Sequence, residues 1–240
     1  MRRTASALVL ALIAILGLVT PASAAPAQLT GLDASVQQAI VVTAKDWLTT
    51  TATLRAYERR DGRWVQVIGP VRAFLGSAGM IPAAERVQRS GETPAGIFAI
   101  PSAFGRRPNP GTALPYTQVD RNDTWPYWPG DPATYNLLQT VPLHTEAPRT
   151  YVERLWSMGP QYDYVAVMDF NLPAGAITTG ADGVRRATTP ADTRRGGGIF
   201  LHVAKGEPTA GCIAIDREAM VRVLRWLDPA KAPVIITRVR

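Results

Sequence analysis

Apolar residues in this chain recur in short runs, and in only one segment at helical spacing. Ala39-Ile40-Val41-Val42-Thr43-Ala44 reads as a buried strand and Thr51 to Glu58 as a second, with Asp61-Gly62 turning the chain into Trp64-Val65-Gln66-Val67-Ile68. Gly69-Pro70 interrupts that run, Val71 to Leu75 resumes it, and Gly76 to Gly79 ends it. Gly91 to Ile100 continues the pattern, with Thr93-Pro94 setting an extended start and Ile97-Phe98 supplying core. Tyr162 to Phe170, Gly198 to Val203 and Val234 to Val239 read the same way. The helical exception is Arg217 to Leu227, where Met220, Val223, Leu224 and Leu227 share a face, Asp216 is placed to cap the N-terminus, and Asp228-Pro229 stops the run. Short strands and turns at this spacing predict a mainly β domain with one helix near its end.

Two stretches break the pattern. Ala7 to Val19 is apolar, follows Met1-Arg2-Arg3 and precedes Ala22-Ser23-Ala24, which is the layout of a secretory signal peptide over 1–24 and too short for a membrane span. A short linker over 25–37 and one domain over 38–240 are then expected, with no membrane span in the mature chain and a secreted or extracytoplasmic location, in the cell wall or periplasm. The second stretch, Pro101 to Asn136, is rich in Pro, Gly and aromatics and includes Trp125-Pro126-Tyr127-Trp128-Pro129. It reads either as a loop lining a groove or as a cap on the core.

Charge narrows the partners. The formal balance is +7, with Arg59-Arg60, Arg106-Arg107, Arg185-Arg186 and Arg194-Arg195 dispersed along the chain. Without a basic stripe or a nucleic-acid motif, nucleic acid is not an expected partner, and anionic wall polymers or water are left. The single cysteine, Cys212, cannot form an internal disulfide. In an oxidising compartment an unpaired thiol is buried, reactive, or a bridge to another chain.

Cys212 lies ten positions after His202, one of only two histidines. A thiol attacks carbonyl carbon as thiolate, and a histidine supplies the base or cation that it needs. Gly198 to Val203 fixes His202 on a strand, Gly206-Glu207-Pro208 turns the chain, and Thr209-Ala210-Gly211 leaves little bulk before the thiol. The Gly211 and Cys212 amides are then candidates for an oxyanion hole, and the start of the helix after Asp216 is a further source of positive potential. Ile213 and Ile215 support the opposite reading, a buried and inert thiol. His144 could join Cys212 and His202 around zinc, but no closely spaced ligand pair exists, so a surface histidine and no metal are expected, and chemistry through a thiol and an imidazole needs no organic cofactor. Asp169 and Asn171 read as turn formers ahead of Leu172-Pro173.

Leu201-His202 followed by Thr209-Ala210-Gly211-Cys212-Ile213 resembles the active-site signature of the YkuD-type L,D-transpeptidases, a histidine on one strand before a [Ser/Thr]-x-Gly-Cys-[Ile/Val] segment. Gly91-Glu92-Thr93-Pro94-Ala95-Gly96-Ile97-Phe98 is similar to that family's Gly-x-Thr-Pro-x-Gly-x-Phe segment. The chain departs from the commonest form at Val203, Ala210 and Ala214, where Gly, His and Arg are usual, and its His-to-Cys interval is shorter, as in a divergent branch. The resemblance implies a β-sandwich with a helix after the cysteine. It implies Cys212 as nucleophile on peptidoglycan stem peptides, His202 as general base and acid, and substrate or oxyanion contacts at Thr209, Ala210 and Gly211. Transfer to an amine, hydrolysis as a carboxypeptidase or endopeptidase, and a non-catalytic wall-binding domain all stay open. A papain-like order is disfavoured, because there the cysteine precedes the histidine.

Overall fold

A computed structural model of the chain describes residues 27–141 and 147–240. The expected signal peptide over 1–24 and His144 lie outside the described residues. The strands are β1 (Gln38–Ala44), β2 (Thr51–Arg60), β3 (Arg63–Phe74), β4 (Met80–Pro82), β5 (Thr93–Ala99), β6 (Ser102–Gly105), β7 (Tyr116–Gln118), β8 (Thr124–Pro126), β9 (Val152–Arg154), β10 (Val165–Val167), β11 (Ala174–Thr179), β12 (Arg185–Thr189), β13 (Phe200–Val203), β14 (Ile213–Ile215) and β15 (Val234–Val239). A helix, α1 (Arg217–Trp226), joins β14 to β15. Eleven strands form one sheet in the order β4-β5-β15-β1-β2-β3-β14-β13-β10-β6-β7, while β8 pairs with β9 and β11 with β12.

The protein is mainly β, in keeping with a β-sandwich. Alternation along β2 sends Ala52, Leu54 and Ala56 into the core, where they meet Leu201, Val203, Ile213 and Ile215 from the other half of the sheet. Helix α1 closes this core with Ala219, Met220, Val223 and Leu224. Its start is fixed as the sequence predicts, the Asp216 carboxylate accepting the Ala219 amide at 2.8 Å. Both faces of β13 are buried. Phe200 points to a second cluster with Phe104, Trp125, Leu155, Tyr162 and Cys212, which β8 and the turns after β9 help to build.

Several elements differ from the sequence reading, each for a local reason. Gly69-Pro70 does not interrupt β3, because the partner strand shifts register between Leu54 and Tyr57 and absorbs the irregularity. Glycine is required there: a Cβ on Gly69 would stand 2.6 Å from the Leu54 carbonyl oxygen. Pro101 to Asn136 holds three short strands, and Trp125 is a core residue, its Nε1 donating to Asn136 Oδ1 at 2.8 Å. Only Val165–Val167 of the run from Tyr162 to Phe170 is strand. Tyr162 ends a 3-10 turn, and Asp163 beside it is a buried carboxylate ringed by Arg106, Arg107 and Arg217. Within the expected linker, Leu29 and Val36 are buried against Ala39, Val41, Tyr57, Val234 and Ile236, and Trp64 Nε1 donates to the Leu29 carbonyl at 3.1 Å. No helix among the described residues is long and apolar enough to cross a membrane.

Replacing the helix cap by Asp216→Ala should lower unfolding free energy by about 1 kcal/mol, measured by urea denaturation, with the site chemistry retained.

Candidate active site

β13 and β14 run parallel and adjacent, with Leu201 opposite Ile213 and His202 opposite Ala214. Since side chains alternate with a period of two, His202, Ala214 and Cys212 fall on one face. All three line a cleft of about 280 Å³, together with Thr209 and Ala210. The structure therefore brings together four of the five expected site residues at this cleft, and Gly211 sits between two of them.

The thiol is held by backbone. Cys212 Sγ accepts from the Phe200 amide at 3.4 Å and donates to the Gly198 carbonyl at 3.3 Å. Cys212 is only 8% exposed and His202 only 6%. Burial pushes the thiol up to about 12, helped by the charge of Glu153 and opposed by the Phe200 amide and the Arg86 guanidinium. Burial likewise pushes His202 down to about 4, against the pull of its bond to the Val203 carbonyl and with help from Lys205. Both shifts favour a neutral thiol and a neutral imidazole in the free site, the state in which His202 can serve as a base. The helix start does not change this. Extended β14 separates Cys212 from it by roughly 10 Å, beyond the reach of a terminal dipole.

His202 Nδ1 lies 2.9 Å from the Val203 carbonyl oxygen. A carbonyl only accepts, so Nδ1 carries the hydrogen and the lone pair is left on Nε2. Its ring stands edge-on to Tyr162, with centroids 5.6 Å apart.

The cysteine backbone is fixed from two directions. Thr209 Oγ1 donates to the Cys212 carbonyl at 2.6 Å and accepts the Gly211 amide at 3.1 Å. Thr93 Oγ1, from the start of β5, donates to the same carbonyl at 3.4 Å and accepts the Gly76 amide at 2.8 Å. The Gly211 amide expected in an oxyanion hole is therefore engaged by Thr209. Gly211 has φ +133°, and a Cβ there would meet the Glu92 carbonyl at 2.8 Å and Arg86 Nη2 at 3.0 Å, so only glycine fits. Asp169 and Asn171 act in turns: Asp169 accepts the Ala99 amide at 2.8 Å, and Asn171, at φ +50°, binds the Asp192 and Gly196 carbonyls that lead into β13.

Sequence reasoning missed Arg86, Glu153 and Tyr162. Arg86 is buried, donates to the Glu92 and Arg195 carbonyls at 2.9 and 2.7 Å, and pairs with no carboxylate among the described residues. It sits in Ala84-Glu85-Arg86-Val87, a stretch that reads as ordinary polar surface. Glu153 and Tyr162 reach the cleft from β9 and a 3-10 turn, far from either motif in the chain. No group of three potential metal ligands occurs among the described residues.

Two outcomes test this arrangement. Thr93→Val leaves the buried Gly76 amide without its acceptor and should cost about 1–3 kcal/mol in denaturant unfolding. His202 refuses in the folded state a proton that the unfolded chain takes near 6.5, so stability should fall as pH drops from 6.5 towards 4. The melting temperature of His202→Gln should show a flatter slope over that window than that of the parent.

Comparison with known proteins places these residues in context. The family model of the YkuD L,D-transpeptidase catalytic domain matches residues 40–236. No curated protein and no solved structure gives a match. Members of this family are cysteine-dependent enzymes that modify peptidoglycan, typically outside the cytoplasm. With the match spanning β1 to β15 and enclosing the Cys212–His202 cleft, the chain belongs to the L,D-transpeptidase catalytic domain family.

Proposed function

We propose that the protein is an exported L,D-transpeptidase, residues 38–240 forming the catalytic unit, that works through a thioester on Cys212. The observation that carries this reading is the tautomer of His202: Nδ1–H is committed to the Val203 carbonyl, which leaves the lone pair on Nε2, and His202 lines the same cleft as Cys212.

The steps follow from a neutral pair. As Sγ attacks the carbonyl carbon of a stem-peptide residue, its proton passes to His202 Nε2 and a carbon–sulfur bond forms. The tetrahedral intermediate collapses when His202 returns that proton to the departing amine of the terminal amino acid, leaving a thioester and a neutral imidazole. The developing negative charge is met by the Cys212 amide and by Arg86, the cation whose charge acts on Cys212. Thr209 and Ala210, at the cleft wall, contact the substrate backbone. An acceptor amine then gives a cross-link, and water gives a shortened stem.

Since the reacting form is thiol plus imidazole, thioester formation should be flat with pH from about 5.5 to 8.5, both groups keeping one protonation state across that range. Mass spectrometry of the protein incubated with a disaccharide-tetrapeptide fragment of peptidoglycan checks the assignment. A thioester adduct on Cys212 is expected, absent in Cys212→Ala and formed about a hundredfold more slowly in His202→Ala. Cross-linked product supports transfer, and shortened stems alone mark a hydrolase. Adduct formation in the Cys212→Ala protein would sink the reading, and fragment that binds without adduct or product would point to a wall-binding domain.

A further inference from the structure

Glu153 is a carboxyl in the cleft that the acylation chemistry above does not use. It stands on β9, opposite Trp125 of β8. One of its oxygens accepts the Tyr162 hydroxyl at 2.5 Å, and the other has no hydrogen-bond partner among the described residues. That free oxygen, Oε1, lies 3.7 Å from where a Cβ on Gly198 would be, and the Gly198 carbonyl accepts the hydrogen bond of the Cys212 thiol. Carboxyl and thiol thus meet at one residue, and the Glu153 charge is felt at Cys212.

Glu153 is half-buried, and a carboxylate in a cleft wall is normally met by a cation. Here none among the described residues is within ion-pair distance, although Arg86, Arg89 and Lys205 line the same cleft. The group therefore keeps one oxygen free for a cation that arrives with a ligand.

The proton count of the transfer step calls for such a group. An acceptor amine reaches the site as an ammonium, and its nitrogen must lose two protons before it becomes an amide nitrogen. His202, neutral again after acylation, takes one of them as the amine attacks, and delivers it to Sγ as the carbon–sulfur bond breaks. The other needs a second base. We propose that Glu153 is the acceptor-side catalytic residue, its carboxylate binding the incoming ammonium and removing the first proton, so that a free amine attacks the thioester. The carbon–nitrogen bond forms, the carbon–sulfur bond breaks, the thiol is restored, and Glu153 releases its proton to water. This inference rests on the thioester reading above and extends it to the acceptor.

The chemistry of the site suits the task. Burial raises Glu153 to about 7, opposed by the Tyr162 hydroxyl, so near neutral pH it passes readily between carboxylate and acid. The titratable groups facing it are Tyr162, Tyr127 and Cys212, with His202 beyond the Tyr162 ring. Arg86, Arg89, Lys205 and Glu207 are the other charged residues that line the cleft.

The test separates acylation from transfer. Wild type and Glu153→Gln are acylated with the disaccharide-tetrapeptide fragment, then chased either with excess fragment, whose free amine is protonated at neutral pH, or with hydroxylamine, which is not. The expected result is thioester formation in Glu153→Gln within about threefold of wild type, transfer to the fragment slower by about a hundredfold, and clearance by hydroxylamine at the wild-type rate. In wild type alone, the rate of transfer to the fragment should rise with pH and bend near pH 7, where Glu153 becomes ionised. Transfer by Glu153→Gln at the wild-type rate overturns the proposal. So does an equal loss with both chase amines, the mark of a structural role, or a wild-type profile that climbs without a bend. A wild-type thioester that only water clears overturns the role of Glu153 and leaves the nucleophile standing, whereas no thioester at all overturns both.

Discussion

Burial of a thiol and an imidazole in one cleft, on one face of two parallel strands, is the constraint on which the rest of this site depends. Neither group can ionise cheaply there, because a charge in a poorly solvated cleft loses its hydration without full replacement. The shifts of Cys212 and His202 both favour a neutral resting site, and under the proposed chemistry negative charge is created only when a carbonyl is in place to receive it. That division of labour explains why backbone groups hold the sulfur in the free state. The Phe200 amide and Gly198 carbonyl satisfy a thiol, donor and acceptor together, where a thiolate would face the Gly198 oxygen unfavourably. Substrate that displaces the thiol proton from Gly198 towards His202 changes both bonds at once.

The same constraint shows why two motifs far apart in the chain belong together. Thr93 contributes no chemistry of its own. Its hydroxyl links the Gly76 amide to the Cys212 carbonyl, so that the start of β5 and the turn before β14 are fixed to each other. Thr209 adds a second hydroxyl to the same carbonyl, and Gly211 at φ +133° completes a turn that no other residue could make against Glu92 and Arg86. The cysteine is placed by its carbonyl and amide neighbours, which leaves its side chain to face the cleft.

Much of this was legible from residue order because it is local or periodic. The strand at Val234–Val239, the helix capped by Asp216 and the His202 strand follow from alternation, helical spacing and a capping carboxylate within a few residues. That His202 and Cys212 share a cleft was legible from scarcity, one thiol and two histidines. What stayed hidden is what depends on tertiary placement. A thiol's acidity is set by how much water reaches it, and nothing in Ala210-Gly211-Cys212-Ile213 states that. Arg86 and Glu153 look like ordinary surface charges in their own stretches, and become site residues only because β9 and the segment before β5 close over β13. The aromatic stretch from Pro101 to Asn136 divides between both readings, Trp125 filling the core and Tyr127 lining the cleft.

The departures from the family's commonest signature can be understood in the same terms. Ala214 faces His202 across β13 and β14 and lines the cleft, and a methyl there supplies neither charge nor hydrogen bond. A cation is nonetheless present at the cleft in Arg86, whose guanidinium is anchored by two backbone carbonyls and stands against Gly211. Val203 after the histidine is buried on the core face, so its side chain does not enter the cleft, and what matters at that residue is its carbonyl, which any amino acid supplies to His202 Nδ1. Ala210 is exposed beside the turn that Thr209 and Gly211 define, where a small residue keeps the cleft mouth open. The signature thus diverges at Val203, Ala210 and Ala214, none of which donates a side-chain hydrogen bond or a charge to the cleft. It is intact at the thiol, the imidazole, the glycine and the two hydroxyls that hold the Cys212 carbonyl.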